Sequence, residues 1–220
     1  GARLSEELVK LSENFVCEGL RLALVTTDWD SIFKKLDLVF ENIDDESKWG
    51  FLTSQDIFIT EYKSSESDKI AHLFPGQGSQ YVGMTHDLSL RYGIIGDTWD
   101  EADKTMVEIL DGQKLSDFVL RSNLTKEERI DAESKLKQTE YTQPAMLTAD
   151  LALNRLLEQH GQVPDMVAGH SLGEYAALMV SGILQFHDAL RAAAARGTEM
   201  GSVDVPDKGL MASITAPFDQ

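Results

Sequence analysis

The stretch "DMVAGHSLGEYAALMVSG", residues 165–182, constrains the fold of this chain more than any other. An apolar run ends at Gly169, Ser171 stands two positions from a glycine on either side, and a helix-patterned segment follows as far as Gly182. A strand that passes through G-x-S-x-G into a helix is the setting of a nucleophile elbow. Such a turn is sharp and strained, and Gly169 and Gly173 let strand and helix close on each other without a Cβ clash. The Ser171 hydroxyl then projects from the sheet edge, over a helix N-terminus that favours developing negative charge. Ser171 is the predicted nucleophile, and an α/β fold with a parallel sheet is its predicted setting. His170 reads as structural, with its ring turned elsewhere. A tight β-to-α turn without chemistry is the plainer reading of the same pattern.

A second glycine-rich segment supports the chemical reading. In "FPGQGSQYVGM", residues 74–84, Gly76 and Gly78 flank Gln77 at the end of the apolar run "IAHLF". Acyl transfer needs two donors aimed at a tetrahedral oxyanion. The usual pair is the N–H just after the nucleophile, here Leu172, and one from an early strand–helix loop, where Gln77 lies. The segment lacks the GK[ST] of a phosphate-binding P-loop, and its G-x-G-x-x-G reading fails at Tyr81. An ordinary glycine turn is the alternative.

In "HDALRAAAARGTEM" two arginines lie five positions apart, so on a helix they point about 140° from each other. Arg196 lines up with Ala189, Ala192, Ala193 and Met200. Small side chains leave room for a ligand beside its planar fork, which suits a carboxylate. A surface arginine on an alanine-rich helix fits the spacing equally.

The rest of the chain supplies the frame. Residues 1–67 read as a small α/β unit. Leu4, Leu8, Leu11 and Phe15 share one helical face, and "RLALVTT" and "DIFITEY" read as strands. A capping-box-like start at Thr27 and Asp30 opens an amphipathic helix with Trp29, Ile32, Phe33, Leu36, Val39, Phe40 and Ile43 along one side. This unit has few large core side chains and is expected to lean on a neighbour. The polar "KSSESDK" marks a boundary, and residues 68–220 read as a larger α/β domain. There "LTKEERIDAESKLKQ" is an exposed helix, Pro144 opens a helix that Gly161 closes, and "GLMASI" reads as a further strand.

Composition excludes several function classes. With 37 acidic and 20 basic residues the net charge is −17, which disfavours nucleic acid as a partner. No run of about 18 apolar residues points to a membrane span. The single Cys17 and five histidines show no CxxC or HExxH spacing, so no metal site is expected, and a reducing cytoplasm suits the lone thiol. The start "GARLSEELVK" has neither a signal-peptide pattern nor an initiator methionine, as in a piece of something longer.

"FPGQGSQYVGM", "YTQPAML", "GHSLGEYAAL" and "ARGTEM", in that order, resemble the malonyl-CoA:acyl-carrier-protein transacylase family. That family includes the acyltransferase domains of type I fatty-acid, polyunsaturated-fatty-acid and polyketide synthases. The likeness covers about residues 70–216. Residues 1–67 more loosely resemble the later part of the linker that joins a ketosynthase to such a domain. The resemblance implies the large subdomain of an α/β-hydrolase-like acyltransferase. It implies that Ser171 takes an acyl group from a CoA thioester as an ester and passes it to the phosphopantetheine thiol of an acyl carrier protein. The backbone N–H groups of Gln77 and Leu172 would form the oxyanion hole. Arg196 would pair with the free carboxylate of malonyl or methylmalonyl, and Gln143 would orient neighbours. No permanently bound cofactor is implied. Leu172, where a glutamine is the other choice, leans towards malonyl.

The missing part is the base. The family supplies a histidine well downstream of the serine, after a small ferredoxin-like subdomain. Here only His187 follows Ser171, and it fits no motif, so the expectation is an incomplete acyltransferase that is inactive alone. Two other classes share the elbow: a serine hydrolase, for which Arg196 has no purpose, and a non-catalytic structural fragment of a megasynthase.

Overall fold

The computed structural model describes residues 19–26, 28–62 and 68–203, in two compact units divided between Asp68 and Lys69. The expected helix bearing Leu4 to Phe15 and the expected strand at "GLMASI" lie outside the described residues.

In the first unit β1 (Gly19–Leu24) pairs antiparallel with β2 (Ile57–Tyr62), Gly19 opposite Tyr62 and Leu24 opposite Ile57. Between them in sequence come α1 (Trp29–Asn42), a 3-10 turn and α2 (Trp49–Thr53). The core is Val39, Leu52 and Ile57, with Leu24, Leu38, Ile43, Trp49 and Ile59 packed at its margin. Among the described residues this core reaches only part of the α1 stripe, and Trp29, Phe33 and Phe40 are exposed. The Lys35 ammonium gathers the strand ends, donating to the carbonyls of Val25 at 2.7 Å and Gln55 at 2.6 Å.

One correction concerns the start of α1. Its N-cap is Asp28, whose carboxylate accepts from the Ser31 N–H at 2.8 Å, and not the expected Thr27 box; Thr27 itself lies outside the described residues. A carboxylate is a strong cap because the helix N-terminus carries partial positive charge.

In the second unit β3 (Ala71–Phe74) and β4 (Met166–Gly169) run parallel, Ala71 opposite Met166 and Phe74 opposite Gly169. The Asp165 carboxylate fixes this register, accepting from the Ile70 N–H and from Lys69, each at 2.9 Å. Those bonds favour the ionised form and hold its pKa below the usual carboxylate range. Parallel neighbours need a long crossover. Here it contains α3 (His86–Ser89), α4 (Gly93–Met106), α5 (Ser116–Val119), α6 (Lys126–Leu136) and α7 (Thr139–Gln159). After β4 come α8 (Gly173–Val180) and α9 (Phe186–Ser202).

The core of this unit joins Ile95, Trp99 and Met106 of α4 to Ala145, Leu147 and Ala152 of α7, Leu172 of the elbow and Ala189, Leu190 and Ala193 of α9. Helix α6, expected as an exposed helix, opens with a reciprocal cap. The Thr125 side chain accepts from the Glu128 N–H, and the Glu128 carboxylate accepts from the Thr125 N–H.

Helix α7 departs from expectation. It opens at Thr139, so Pro144 lies inside it and is not its first residue. Proline in a helix removes one backbone hydrogen bond. The first turn is secured by other means: Thr142 bonds back to the carbonyls of Leu136 and Gln138, and the Thr139 hydroxyl donates to the Gly197 carbonyl of α9. Gly161, at φ +80°, follows the end of α7 as predicted. No helix among the described residues is long and apolar enough to cross a membrane.

Candidate active site

The turn between β4 and α8 has the strained geometry of an elbow. Ser171 adopts φ +53°, a left-handed conformation that costs a non-glycine residue free energy and that packed surroundings must impose. Those surroundings are backbone. A Cβ at Gly169 would lie 2.0 Å from the Gly173 carbonyl, and one at Gly173 would lie 2.2 Å from the Phe74 oxygen. Neither approach admits a side chain, so both glycines are required for strand, turn and helix to meet. The result leaves Ser171 exposed while Leu172 behind it is fully buried. Among the described residues nothing hydrogen-bonds the Ser171 hydroxyl.

The Gln77 loop lies against this turn. The His170 N–H donates to the Phe74 carbonyl at 3.0 Å, continuing the strand pairing by one residue. The His170 ring sits over Gly76, where a Cβ would come 2.8 Å from Nδ1. Gly78, at φ +119°, turns the loop, and its N–H is taken by Gln80 Oε1 at 2.8 Å. Among the described residues no protein group accepts from the N–H of Gln77 or of Leu172. Loop and elbow thus bring two uncommitted backbone donors to the same strand end.

A second cluster forms where α7 meets α9. Gly197 makes it possible, because a Cβ there would lie 2.5 Å from the Thr139 carbonyl oxygen. At this spacing Arg196 Nη1 donates to Gln143 Oε1 at 2.8 Å, and Gln143 Nε2 donates to Met200 Sδ at 3.4 Å. Gln143 is fully buried, Arg196 half-buried and Met200 half-exposed. The structure therefore joins Arg196 to Gln143, residues that sequence spacing alone does not connect. No hydrogen bond links this cluster to the elbow among the described residues.

None of the five histidines hydrogen-bonds Ser171. His72 Nδ1 lies 2.7 Å from Asn154 Oδ1, and His160 meets its own helix and the edge of the Tyr92 ring. His187 is exposed beside Asp188 at 3.3 Å. His86 is partly buried, and its Nδ1 has no partner. His170 packs on Gly76. Among the described residues no group of acidic, cysteine and histidine side chains is arranged to hold a metal ion.

One titratable residue is absent from the sequence reading. Asp150, on α7, is buried with Oδ2 lacking any partner, and burial pushes its carboxyl up to about 7. It lines a cleft of about 330 Å³ with His72, Phe74, Leu153 and Asn154. The signal was available: Asp150 interrupts the apolar run "PAMLTADLALN".

Comparison with known proteins places these features in a family. The family described as "Acyl transferase domain" matches residues 71–218. The malonyl CoA-acyl carrier protein transacylase of Escherichia coli O157:H7 is 42% identical over 147 residues, 66% of this chain and 43% of that protein. The polyketide synthase GfsA of Streptomyces halstedii is 41% identical over 145 residues, 64% of this chain and 2% of the synthase. Among solved structures, MCAT from Streptococcus pneumoniae aligns at TM-score 0.51 and 45% identity, covering 60% of this chain and 38% of that one. The acyl transferase domain of ZmaA aligns at TM-score 0.61 and 28% identity, covering 70% and 35%. The chain spans less than half the length of the transacylases it matches. With the family matched over residues 71–218, more than half of its length, the chain belongs to the acyl transferase domain family.

Proposed function

We propose that this chain carries the nucleophile, oxyanion donors and carboxylate clamp of a malonyl-type acyltransferase. Ser171 Oγ attacks the thioester carbonyl of malonyl-CoA or methylmalonyl-CoA. The oxyanion of the tetrahedral intermediate takes hydrogen bonds from the N–H groups of Gln77 and Leu172. The carbon–sulfur bond breaks, CoA leaves as the thiol, and a seryl ester remains. The phosphopantetheine thiol of an acyl carrier protein then attacks that ester, and Ser171 regains its proton. Arg196, held by Gln143, grips the distal carboxylate of the acyl group throughout. Neither half-reaction needs a permanently bound cofactor.

The observation that carries this reading is the conjunction of a strained, exposed Ser171 with unbonded N–H groups at Gln77 and Leu172. The Arg196–Gln143 bond adds the reason for a diacid, since a plain esterase has no use for a guanidinium held in place. Two named relatives act on or with these substrates: the transacylases transfer malonyl, and one solved neighbour is a malonyl-transacylase in complex with its type II acyl-carrier protein. In this reading the proton acceptor for Ser171 is none of the five histidines, none of which hydrogen-bonds its hydroxyl. Residues 1–67 are read as part of a ketosynthase–acyltransferase linker and 68–220 as acyltransferase. The division of the structure between Asp68 and Lys69 and a family match that starts at residue 71 support that reading, which includes a neighbouring ketosynthase and a cytoplasmic setting.

The test is intact-protein mass spectrometry after exposure to malonyl-CoA, methylmalonyl-CoA and acetyl-CoA in competition, on the protein at its natural length. A malonyl adduct on Ser171 that discharges to carrier-protein thiol supports the proposal. Discharge to water in preference to the thiol indicates a hydrolase, and no adduct on Ser171 overturns both.

A further inference from the structure

Resting on that reading, we infer that Met200 is a positioning residue for the carboxylate clamp, acting through Gln143. The argument begins with what each neighbour of the Gln143 amide is able to do. A guanidinium only donates hydrogen bonds and a thioether only accepts them. Arg196 Nη1 lies 2.8 Å from Oε1 and Met200 Sδ lies 3.4 Å from Nε2. The amide orientation is therefore fixed by chemistry: only with its oxygen towards Arg196 and its nitrogen towards Met200 do both contacts hold. Turned over, the amide would set donor against donor and acceptor against acceptor.

Burial makes this selection count. Gln143 is fully buried, so water does not replace a lost partner. Remove the sulfur and the NH2 group faces an apolar side chain. The amide then gains nothing from its present orientation beyond the single bond to Arg196. Backbone geometry supports the alignment: Gly197, against the Thr139 carbonyl, sets the depth of α9 on α7, and Arg196 and Met200 are one helical turn apart on α9. Sulfur, amide and guanidinium thus form a relay, and the rest of the arginine fork is left for a ligand carboxylate. Met200 is also reachable from outside, since it lines a hollow at the junction of α7 and α9 with Lys137, Glu140 and Ser202.

The test replaces Met200 with leucine, which keeps volume and apolar character but has no lone pair. Because Met200 is half-exposed, the fold is expected to survive, and thermal unfolding checks this. The protein at natural length is loaded from equimolar malonyl-CoA and acetyl-CoA, and the ratio of the two seryl esters is measured, with KM and kcat for each. Met200→Leu is expected to lower the malonyl-to-acetyl ratio about fivefold, through KM for malonyl-CoA with kcat little changed, as suits loss of one weak hydrogen bond. Selenomethionine, which keeps an acceptor at the same place, is expected to retain the ratio. A ratio within twofold of wild type in Met200→Leu, while Arg196→Ala abolishes malonyl preference, overturns the role of Met200 alone. A preference that survives Arg196→Ala overturns the clamp itself.

Discussion

Arg196 and Gln143 stand 53 residues apart in the chain and share one hydrogen bond of 2.8 Å between a half-buried guanidinium and a fully buried amide oxygen. Arginine offers several donors, and this bond uses one of them. The others are oriented as a consequence, as the proposed carboxylate clamp requires.

Arg196→Ala is therefore expected to cut loading from malonyl-CoA about 100-fold relative to acetyl-CoA, because a charge-assisted pair is lost from only one of the two substrates. Competitive loading read by mass spectrometry measures the ratio. An equal loss for both acyl groups would show that Arg196 serves the fold and not the carboxylate.

Ser171 holds a left-handed backbone at the cost of stability. Ser171→Gly is expected to stabilise the protein by about 1 kcal/mol while abolishing acyl loading. Ser171→Ala abolishes loading equally but relieves no strain, so its urea midpoint stays near that of wild type. Equal midpoints for the glycine and alanine variants would contradict the strain.

Gly173 lies where a side chain meets the Phe74 and Pro75 carbonyl oxygens. Gly173→Ala is expected to destabilise by about 3 kcal/mol or more, since neither clashing group is a side chain that swings aside. Chemical denaturation measures it, with Gly96→Ala, in open space on α4, as the comparison.

Asp150 provides a pH test. Its folded carboxyl titrates at about 7 against an ordinary value near 3.8, so between these the folded state binds a proton that the unfolded state lacks. Stability then falls as pH rises from about 4 to 7 and is flat above, a loss on the order of a few kcal/mol. Asp150→Asn is expected to remove this slope and to unfold at a higher temperature than wild type at pH 8, with the two alike near pH 4. Parallel melting curves across that range would refute it.

Much of this was legible in the sequence. The elbow was, because strand, turn and helix are contiguous and Gly169 avoids a clash with the nearby Gly173 and Glu174; that Gly173 is pressed against Phe74 and Pro75, far off in the chain, was not. Helix α6 was legible as an exposed helix from its own charged run, though not its Thr125–Glu128 cap. What escaped depends on distance or competition. Pro144 suggested a helix start, but side-chain bonds from Thr139 and Thr142 secured an earlier one. Thr27 suggested a cap that the adjacent Asp28 provides. The amphipathic stripe on α1 was legible, but not which of its residues the described core covers. The partnership of Arg196 with Gln143 arises from the packing of α9 on α7, which no spacing within either helix reveals.

The hydrogen-only gap at Gly197 fixes how this scaffold is able to diversify. Two helices that touch main chain to main chain act as rails with no play, so their separation is not a variable on which selection for a new acyl group works. Change must come through the side chains that hang from them, one position at a time, while the frame beneath stays put.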